Sequence, residues 1–124
     1  MIAITLDAEP TRGFVRLHVH GTLTVEVAQR TLREAMEQHP SLHRLWDFRD
    51  ADLTAWSLDD MRGFIATVAR EPGARAGTRV AALVSRDVDF GMARMFEALS
   101  AGDLPFEMCI FRDATAAEEW ITRP

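Results

Sequence analysis

The spacing of apolar residues changes several times along this chain, and each change predicts a change of secondary structure. From Phe14 to His20 apolar and polar residues alternate, which is typical of a strand with one buried face. Met1 to Leu6 is also rich in strand-forming residues, and the segment Asp7 to Gly13 between them is polar and contains Pro and Gly. We therefore expect a β-hairpin whose second strand ends at Gly21.

Four later segments place apolar residues three or four positions apart, as the buried face of a helix requires. The first helix is expected to begin after an N-cap at Thr24 and to stop before Pro40. The second begins at Ser57, the third runs from about Val88 to Ala101, and the fourth begins near Thr115. The residues expected to face inward are Val25, Ala28, Leu32, Ala35 and Met36, then Leu58, Met61, Ile65 and Val68, then Met92, Met95, Phe96 and Leu99, and finally Ala117, Trp120 and Ile121.

Capping patterns support these helix boundaries. Ser57 is followed by Asp60, and Thr115 by Glu118, both at the spacing of a capping box. In such a box the hydroxyl and the carboxylate each accept a hydrogen bond from the other residue's backbone N–H. Gly102 is the expected stop signal of the third helix.

The remaining strands are predicted at Arg44 to Phe48, Val80 to Val84 and Phe106 to Phe111. The second of these is a continuous apolar run, which is typical of a strand covered on both faces. The segment Glu71 to Gly77 is rich in helix breakers and is expected to be a connector. The order β-β-α-β-α-β-α-β-α predicts one α/β domain over residues 1–124, with a single, mainly parallel sheet and an antiparallel N-terminal hairpin.

Composition narrows the class of protein. A chain of 124 residues and 13.9 kDa accommodates one hydrophobic core. No segment approaches the roughly 20 apolar residues of a membrane span, and the sequence shows no signal-peptide pattern. The single cysteine excludes an internal disulfide. We therefore expect a cytoplasmic setting. The net charge of −5 argues against binding nucleic acid. All 14 basic residues are Arg and Tyr is absent, which excludes mechanisms that need a Lys or a catalytic Tyr.

The element order and four local phrases together resemble the SpoIIAA-like superfamily, which includes STAS domains and the lipid-binding SEC14-type fold. The phrases are Leu45 to Ala51, Arg79 to Val84, Gly91 to Phe96 and Phe111 to Asp113. The resemblance covers essentially the whole chain and implies a SpoIIAA-like fold. The resemblance also implies a regulatory domain that binds a protein partner or forms homodimers. Because the sequence offers no nucleophile–base pair, we expect this domain to be non-enzymatic and to need no cofactor.

The STAS side of the resemblance draws attention to two hydroxyl groups. In phosphorylatable STAS proteins, a Ser or Thr stands at the start of the helix after the central strand, in an Asp-Ser-Gly-like context. The matching region here is Asp52 to Leu58, in which Ser57 is the best positional match and Thr54 is the other hydroxyl. No Asp precedes Ser57 and no Gly follows it, so we expect helix capping as its first role and phosphorylation as its second.

The SEC14 side of the resemblance implies an alternative function, a binding module for a lipid or a small apolar ligand. The candidate ligand face is the bulky stretch of the third helix that contains Phe90, Met92, Met95 and Phe96. Ordinary helix packing explains the same spacing. We therefore expect this face to be filled by the core and to leave no cavity.

Three Arg-Asp pairs follow predicted strands, namely Arg49-Asp50, Arg86-Asp87 and Arg112-Asp113. The carboxyl ends of parallel strands meet at one edge of the sheet, where α/β folds place their sites. These pairs are therefore expected to lie together with Asp52 and Trp56 as a partner-binding edge, where guanidinium groups would bind phosphate or carboxylate. The alternative is that the aspartates only cap or precede helices.

No metal site and no nucleophile are predicted. His18 and His20 lie on one face of a strand, but zinc needs three or four ligands and no third is evident. The acidic segment Asp47 to Asp60 lacks the ligand spacing of a calcium loop. Cys109 lies in an apolar strand and is expected to be a small core residue.

Overall fold

The computed structural model describes residues 2–71 and 77–124. Within these ranges the strands and helices follow the predicted order. The strands are β1 (Ala3–Glu9), β2 (Phe14–Thr22), β3 (His43–Asp52), β4 (Arg79–Leu83) and β5 (Glu107–Phe111). The helices are α1 (Val25–Gln38), α2 (Leu58–Ala69), α3 (Asp87–Ser100) and α4 (Ala114–Ile121).

The strands of the described chain form one sheet in the order β1-β2-β3-β4-β5. The β1–β2 pair is antiparallel, and the other three neighbouring pairs are parallel. β4 lies between β3 and β5, and its residues from Val80 to Leu83 are buried because helices cover both of its faces. The predicted α/β class, the mainly parallel sheet and the N-terminal hairpin are confirmed.

Helices cover the two faces of the sheet unequally. One face, which we call the three-helix face, packs against α1, α2 and α3. Its core includes Val15, Val19, Leu32, Trp46, Phe64, Val80 and Ala93. The opposite face, the α4 face, is covered by α4 alone. Its core consists of Phe14, Leu45, Ala81, Leu83, Ala117 and Ile121. β2 contributes Phe14 to this core, and beyond Phe14 the same face of the strand carries the polar residues Arg16, His18 and His20.

Several strands run further than the apolar pattern predicts. β1 ends at Glu9 and not at Leu6, because it stays paired with β2 up to the hairpin turn. β2 passes through Gly21, which therefore does not end the strand. Its φ of 100° lies in the left-handed region that glycine adopts without strain.

The extension of β3 matters for the candidate sites. The predicted strand ends at Phe48, but β3 continues to Asp52 because its polar end still pairs with β2. His20 lies opposite Asp50 in this extension. The Arg49-Asp50 pair therefore lies inside a strand, and not after its end as expected.

Two helix starts differ from the capping expectations, while Thr24 caps α1 as expected. α4 begins one residue early, and Asp113 is its N-cap, with a carboxylate that accepts a hydrogen bond from the Ala116 N–H at 2.8 Å. The predicted Thr115–Glu118 capping box is therefore wrong, since Asp is a stronger N-cap than Thr. α3 begins at Asp87, without a side-chain cap.

Some residues expected to face inward do not. Leu58 is 46% exposed and Met95 is 43% exposed, while Phe64, which the sequence pattern left out, is buried. On α3 the buried residues include Asp89 and Ala93. The buried face of α3 is thus shifted toward Asp89 and Ala93, while Met92 and Phe96 of the predicted stripe are partly buried and pack against the core.

The sequence predicts a connector from Glu71 to Gly77. Its central residues, 72–76, lie outside the described part of the chain, and so does Met1.

Among the described residues, none of the helices combines the length and the apolar character needed to cross a lipid bilayer.

Candidate functional site

An apolar cavity of about 120 Å³ lies between the three-helix face of the sheet and its helices. Strands β3, β4 and β5 form its floor, and α1, α2 and α3 form its walls. Its lining residues are Leu23, Ala28, Leu32, Arg44, Trp46, Phe48, Leu53, Trp56, Met61, Phe64, Val80, Ala82, Met92, Ala93, Phe96, Leu104, Phe106, Met108 and Ile110. Every one of these side chains except that of Arg44 is apolar, which is the usual character of a small-molecule site.

Small side chains account for the empty space. Ala82 lies on the central part of the sheet, and Ala28 and Ala93 lie on the helices that face it. The other residues of the lining are larger, and the volume missing at the alanines stays unfilled. Atoms that line such a gap lose van der Waals partners, and a ligand of suitable shape would restore them.

Three aromatic rings form one wall of the cavity. Trp56 packs edge-on against Phe64 and Phe96, with ring centres 5.3 and 6.5 Å away, and these two phenyl rings are 5.9 Å apart. The indole N–H of Trp56 donates a hydrogen bond of 2.8 Å to the carbonyl of Leu23. The ring is therefore fixed in the cavity wall, which leaves it poorly placed to act as an exposed anchor for a protein partner.

Arg44 is the charged residue of the lining. It is only 4% exposed, and its Nε and Nη2 have no hydrogen-bond partner in the described chain. Its guanidinium lies 5.3 Å from the centre of the Phe106 ring, a cation–π contact that leaves these N–H donors unsatisfied. Burial lowers the pKa of Arg44 to about 10, so the group stays protonated at neutral pH. The cavity thus joins apolar walls to a buried, unpaired cation.

The candidate ligand face of the third helix is divided in the structure. Met92 and Phe96 line the cavity, whereas Met95 points toward solvent. Phe90 lies outside the cavity, and its ring packs beneath Arg112 at 5.2 Å. The expectation that this face is filled by the core is wrong, because the alanines opposite Met92 and Phe96 leave space.

The three Arg-Asp pairs do lie along the carboxyl edge of the sheet, but their arginines form separate ion pairs. Two hydrogen bonds from the Arg49 guanidinium, of 2.9 and 2.8 Å, reach the carboxylate of Asp47 on the same strand. The Arg86 guanidinium binds Asp89 at 2.6 Å, with Asp52 at 3.4 Å.

Arg112 completes the row. It binds Asp87 at 2.8 Å and donates to the carbonyl of Ser85, whose hydroxyl donates to the carbonyl of Arg49 at 3.1 Å. Backbone contacts therefore join the loops of this edge, as the strand order predicts. Because a carboxylate already neutralises each guanidinium, they do not form a common anion site. Asp113 is a helix cap, as the alternative interpretation held.

The two candidate hydroxyls lie beside this edge and are exposed. The predicted capping box at Ser57 is present, since its Oγ accepts from the N–H of Asp60 at 3.0 Å and the Asp60 carboxylate accepts from the N–H of Ser57 at 2.9 Å. Thr54 donates its hydroxyl hydrogen bond to Asp52 at 2.6 Å. Both side chains thus have structural roles, and phosphorylation of either stays a prediction.

The α4 face carries a charged network centred on Asp47, which is 1% exposed. Burial on its own raises the pKa of Asp47, but hydrogen bonds from Arg49 outweigh this and bring the pKa below its ordinary value. Arg16 lies 3.6 Å from Asp47 and 3.2 Å from Glu118. Glu118, which was expected to close a capping box, instead pairs with Arg16 and Arg12.

At the end of this network, His18 and His20 meet Asp50. The Nε2 of His18 is 3.0 Å from an Asp50 carboxylate oxygen, and the Nδ1 of His20 is 3.9 Å from the same oxygen. One potential ligand atom from each residue lies within 4.8 Å of the others. The sequence-based reason for excluding a metal, the lack of a third ligand, therefore does not hold in the folded chain.

Cys109 does not have the surroundings of a nucleophile. It is partly buried on β5, and burial is the main cause that raises the pKa of its thiol. A raised thiol pKa leaves less of the reactive thiolate at neutral pH.

Two buried charged residues were missed in the sequence. Asp89 is 1% exposed and accepts hydrogen bonds from the Leu53 N–H and from Arg86, which ties the loop after β3 to α3. Arg44 had a visible signal, because strand alternation puts it on the same face as Trp46 and Phe48. A charge in line with two aromatic residues marks a position where the core is not purely apolar.

Comparisons with known proteins bear on the fold alone. No protein-family model matches the chain, and no curated protein matches it. A crystal structure of an uncharacterised protein from Shewanella loihica PV-4, of the DUF3478 family and with a SpoIIAA-like fold, is similar with a TM-score of 0.59. The two sequences are 21% identical, over 97% of this chain and 93% of that one. The chain therefore has a SpoIIAA-like fold, as its sequence resemblance implied.

Proposed function

We propose that this protein is a binding module for a small, largely apolar molecule, which occupies the cavity between the sheet and helices α1 to α3. The observation that carries the proposal is the cavity of about 120 Å³, whose walls are apolar apart from Arg44. An apolar cavity of roughly 150 Å³ is known to stay dry and to bind benzene. The space here is therefore close to the size of one aromatic ring or a short alkyl chain.

The construction of the wall supports binding over a mere packing defect. The rings of Trp56, Phe64 and Phe96 brace one another, and the hydrogen bond from Trp56 to Leu23 fixes the wall before any ligand arrives. A preformed site loses little conformational freedom on binding, which favours affinity. The cavity is also partly open to solvent, so a ligand has a route of entry.

The experiment has two arms. Organic extraction of the native protein followed by mass spectrometry would identify a co-purifying apolar molecule. Independently, benzene is titrated into the protein while NMR follows the Trp56 indole N–H and the Met92 methyl group, both of which line the cavity. We expect saturable shifts at these two groups.

Ala82→Ile is the cavity-filling variant, because this alanine lies on the cavity floor. It should weaken benzene binding at least tenfold by occupying part of the space. Ala66→Ile adds the same atoms at an exposed position of α2 and should bind like the wild type. Absence of saturable benzene shifts in the wild-type protein, together with no extracted ligand, would refute the proposed function.

A second candidate function is regulation through protein contact at the carboxyl edge, including contact between two copies of the chain. It is supported by the exposed hydroxyls of Ser57 and Thr54, the second of which hydrogen-bonds Asp52, the carboxylate that lies 3.4 Å from Arg86. Phosphate on Ser57 would add negative charge to this exposed surface. Sedimentation of the wild type and of Ser57→Asp tests this, and a monomer that the substitution leaves unchanged would count against self-association.

A further inference from the structure

We infer that the ligand of the cavity carries a carboxylate, and that Arg44 binds it. This inference rests on the proposed function and specifies the chemical class of the ligand. Arg44 lines the cavity, is 4% exposed, and leaves its Nε and Nη2 without partners in the described chain. An apolar molecule alone would fill the space but would leave this cation as isolated as before.

The physical reason is the cost of an isolated buried charge. A buried cation without a counter-ion is strongly unfavourable, so buried arginines are normally paired with acids. No acidic side chain of the described chain forms an ion pair with Arg44, although the other twelve arginines there include many that pair at 2.6 to 3.9 Å. The chain has 19 acidic residues, yet none of those in the described chain pairs with Arg44 in the cavity lining.

The free donors indicate which anion fits. Nε and Nη2 lie on the same edge of the planar guanidinium, and one N–H of each points in nearly the same direction, which matches the two oxygens of a carboxylate. The rest of the lining is apolar and offers no further donors for the additional oxygens of a phosphate group. The ligand class is therefore a monocarboxylate with an aromatic ring or an alkyl chain, and any chain longer than the cavity would extend through its open side.

Octanoate is the probe, and octan-1-ol is its neutral counterpart of equal chain length. Binding is followed by tryptophan fluorescence in a Trp120→Phe background. Trp120 packs against Phe111 on the α4 face, whereas Trp46 and Trp56 line the cavity, so the remaining signal reports on the site. A hydrogen-bonded ion pair should make octanoate bind roughly tenfold to a hundredfold more tightly than octan-1-ol.

Arg44→Met removes the charge and keeps an unbranched apolar side chain. It should abolish the preference for octanoate while octan-1-ol still binds, and Arg44→Lys should retain part of the preference. Arg30→Met removes an exposed arginine of α1 and should leave the preference unchanged. In the wild type alone, octylamine should bind worst of the three probes, a test that does not depend on any variant folding.

The outcomes separate this inference from the function on which it rests. If octanoate and octan-1-ol bind equally well to the wild type, the cavity binds apolar molecules but the role of Arg44 is refuted. If neither probe nor benzene binds, the proposed function itself fails. A preference for octanoate that survives in Arg44→Met would place the carboxylate elsewhere and would also overturn the inference.

A different observation carries a second inference, on the α4 face of the sheet. We propose that His18, His20 and Asp50 form a site for a divalent transition metal such as Zn²⁺, Co²⁺ or Ni²⁺. The three potential ligand atoms lie within 4.8 Å of one another, and the two imidazole rings are 4.2 Å apart between centres. Two imidazoles and one carboxylate are a donor set that suits these metals, with positions left for water.

An irregularity of the sheet brings these residues together. Between His18 and His20 the parallel register shifts, so that His18 lies opposite Asp47 but His20 lies opposite Asp50. In a regular strand Asp47 and Asp50 would point to opposite faces, and the extra residue of the bulge turns Asp50 toward the histidines. Arg49 does not compete for Asp50 by hydrogen bonding, since its guanidinium is held by Asp47.

Titration of the untagged protein with Co²⁺, followed by visible absorption and calorimetry, tests this site. We expect one bound ion per chain, and Asp50→Asn and His20→Ala should each weaken binding more than the ten- to hundredfold that loss of a supporting hydrogen bond typically causes. His39→Ala removes a histidine at the end of α1 and should have no effect. Binding that is insensitive to Asp50→Asn, or no binding at millimolar Co²⁺, would overturn the proposal.

Discussion

His43 illustrates how a single side chain links protonation to folding. Its Nδ1 accepts a hydrogen bond of 2.8 Å from the backbone N–H of Arg79. Burial, followed by the positive charges of Arg79 and Arg44, lowers the pKa of His43 below 6.5. The unfolded chain therefore binds a proton at this residue more readily than the folded chain does. The resulting contribution to stability is complete above about pH 6.5 and is lost as the pH falls toward the lowered pKa.

His43→Asn should remove this dependence, because an Asn side-chain oxygen can accept from the Arg79 N–H but does not titrate. Urea unfolding at pH values between 7.5 and 5, in steps of about one pH unit, measures it. The free energy of unfolding of the wild type should fall more steeply with decreasing pH than that of the variant. Identical slopes would show that protonation of His43 does not oppose folding.

The sequence predicts the strand face on which Arg44 lies, but it does not predict that Arg44 lacks a hydrogen-bond partner. Its position on an aromatic strand face follows from alternation with Trp46 and Phe48. The lack of a partner depends on which side chains α1, α2 and α3 bring to that face, and apolar spacing does not specify this. The same holds for Asp50, whose approach to His20 depends on a bulge with no distinct sequence signal.

At the scale of elements, the start of α2 joins the cavity to the carboxyl edge. Trp56 belongs to the cavity wall, and the next residue, Ser57, closes the capping box with Asp60. The cap fixes the direction in which the chain enters the helix. Loss of the cap should therefore lower the free energy of unfolding and change the position of the Trp56 ring.

Ser57→Ala should lower the free energy of unfolding by about 0.5–2 kcal/mol, because it removes the acceptor for the Asp60 N–H. Ser57→Asp should be nearly neutral, since Asp is also a good N-cap. Denaturant unfolding measures both, with Ser41→Ala, at an exposed position before β3, as the control. If neither Ser57 variant changes stability, the hydroxyl is free for a regulatory role and capping is not its main task.

Elements were predictable where one period of apolar residues dominates. The continuous run of β4 and the spaced residues of α1 predicted a covered strand and an amphipathic helix, and both are present. The end of β3 was not predictable, since residues 49–52 are mostly polar and are held in the strand by pairing with β2.

The cavity was not predictable either, because it depends on contacts between elements and not on local apolar spacing. Alanines at 28, 82 and 93 read as ordinary core positions until the fold places them opposite one another.

At the scale of the whole molecule, the cavity and its cation reduce stability. Cavities cost roughly 24 cal/mol per Å³, so an empty space of about 120 Å³ corresponds to about 3 kcal/mol. An unpaired buried charge such as Arg44 adds to this cost. Domains of this kind are stable by only about 5–15 kcal/mol in total. The rest of the core must therefore offset a feature that, under the proposed function, benefits binding and not folding.

Arg44→Met should therefore make the ligand-free protein more stable, although it removes a residue from the core. Replacing a buried ion pair by apolar residues of similar volume often gains about 1–4 kcal/mol, and we expect a gain of this order here, where the buried charge has no partner. Thermal unfolding without ligand measures it, with Arg30→Met as the control, which should stay within about 0.5 kcal/mol of the wild type because Arg30 is exposed. Adding octanoate should raise the melting temperature of the wild type more than that of Arg44→Met, because a ligand stabilises the fold according to its affinity and the variant retains only the apolar part of the binding. If Arg44→Met is less stable than the wild type, the cation supports the native core. The claim that the burial of Arg44 lowers stability would then be wrong.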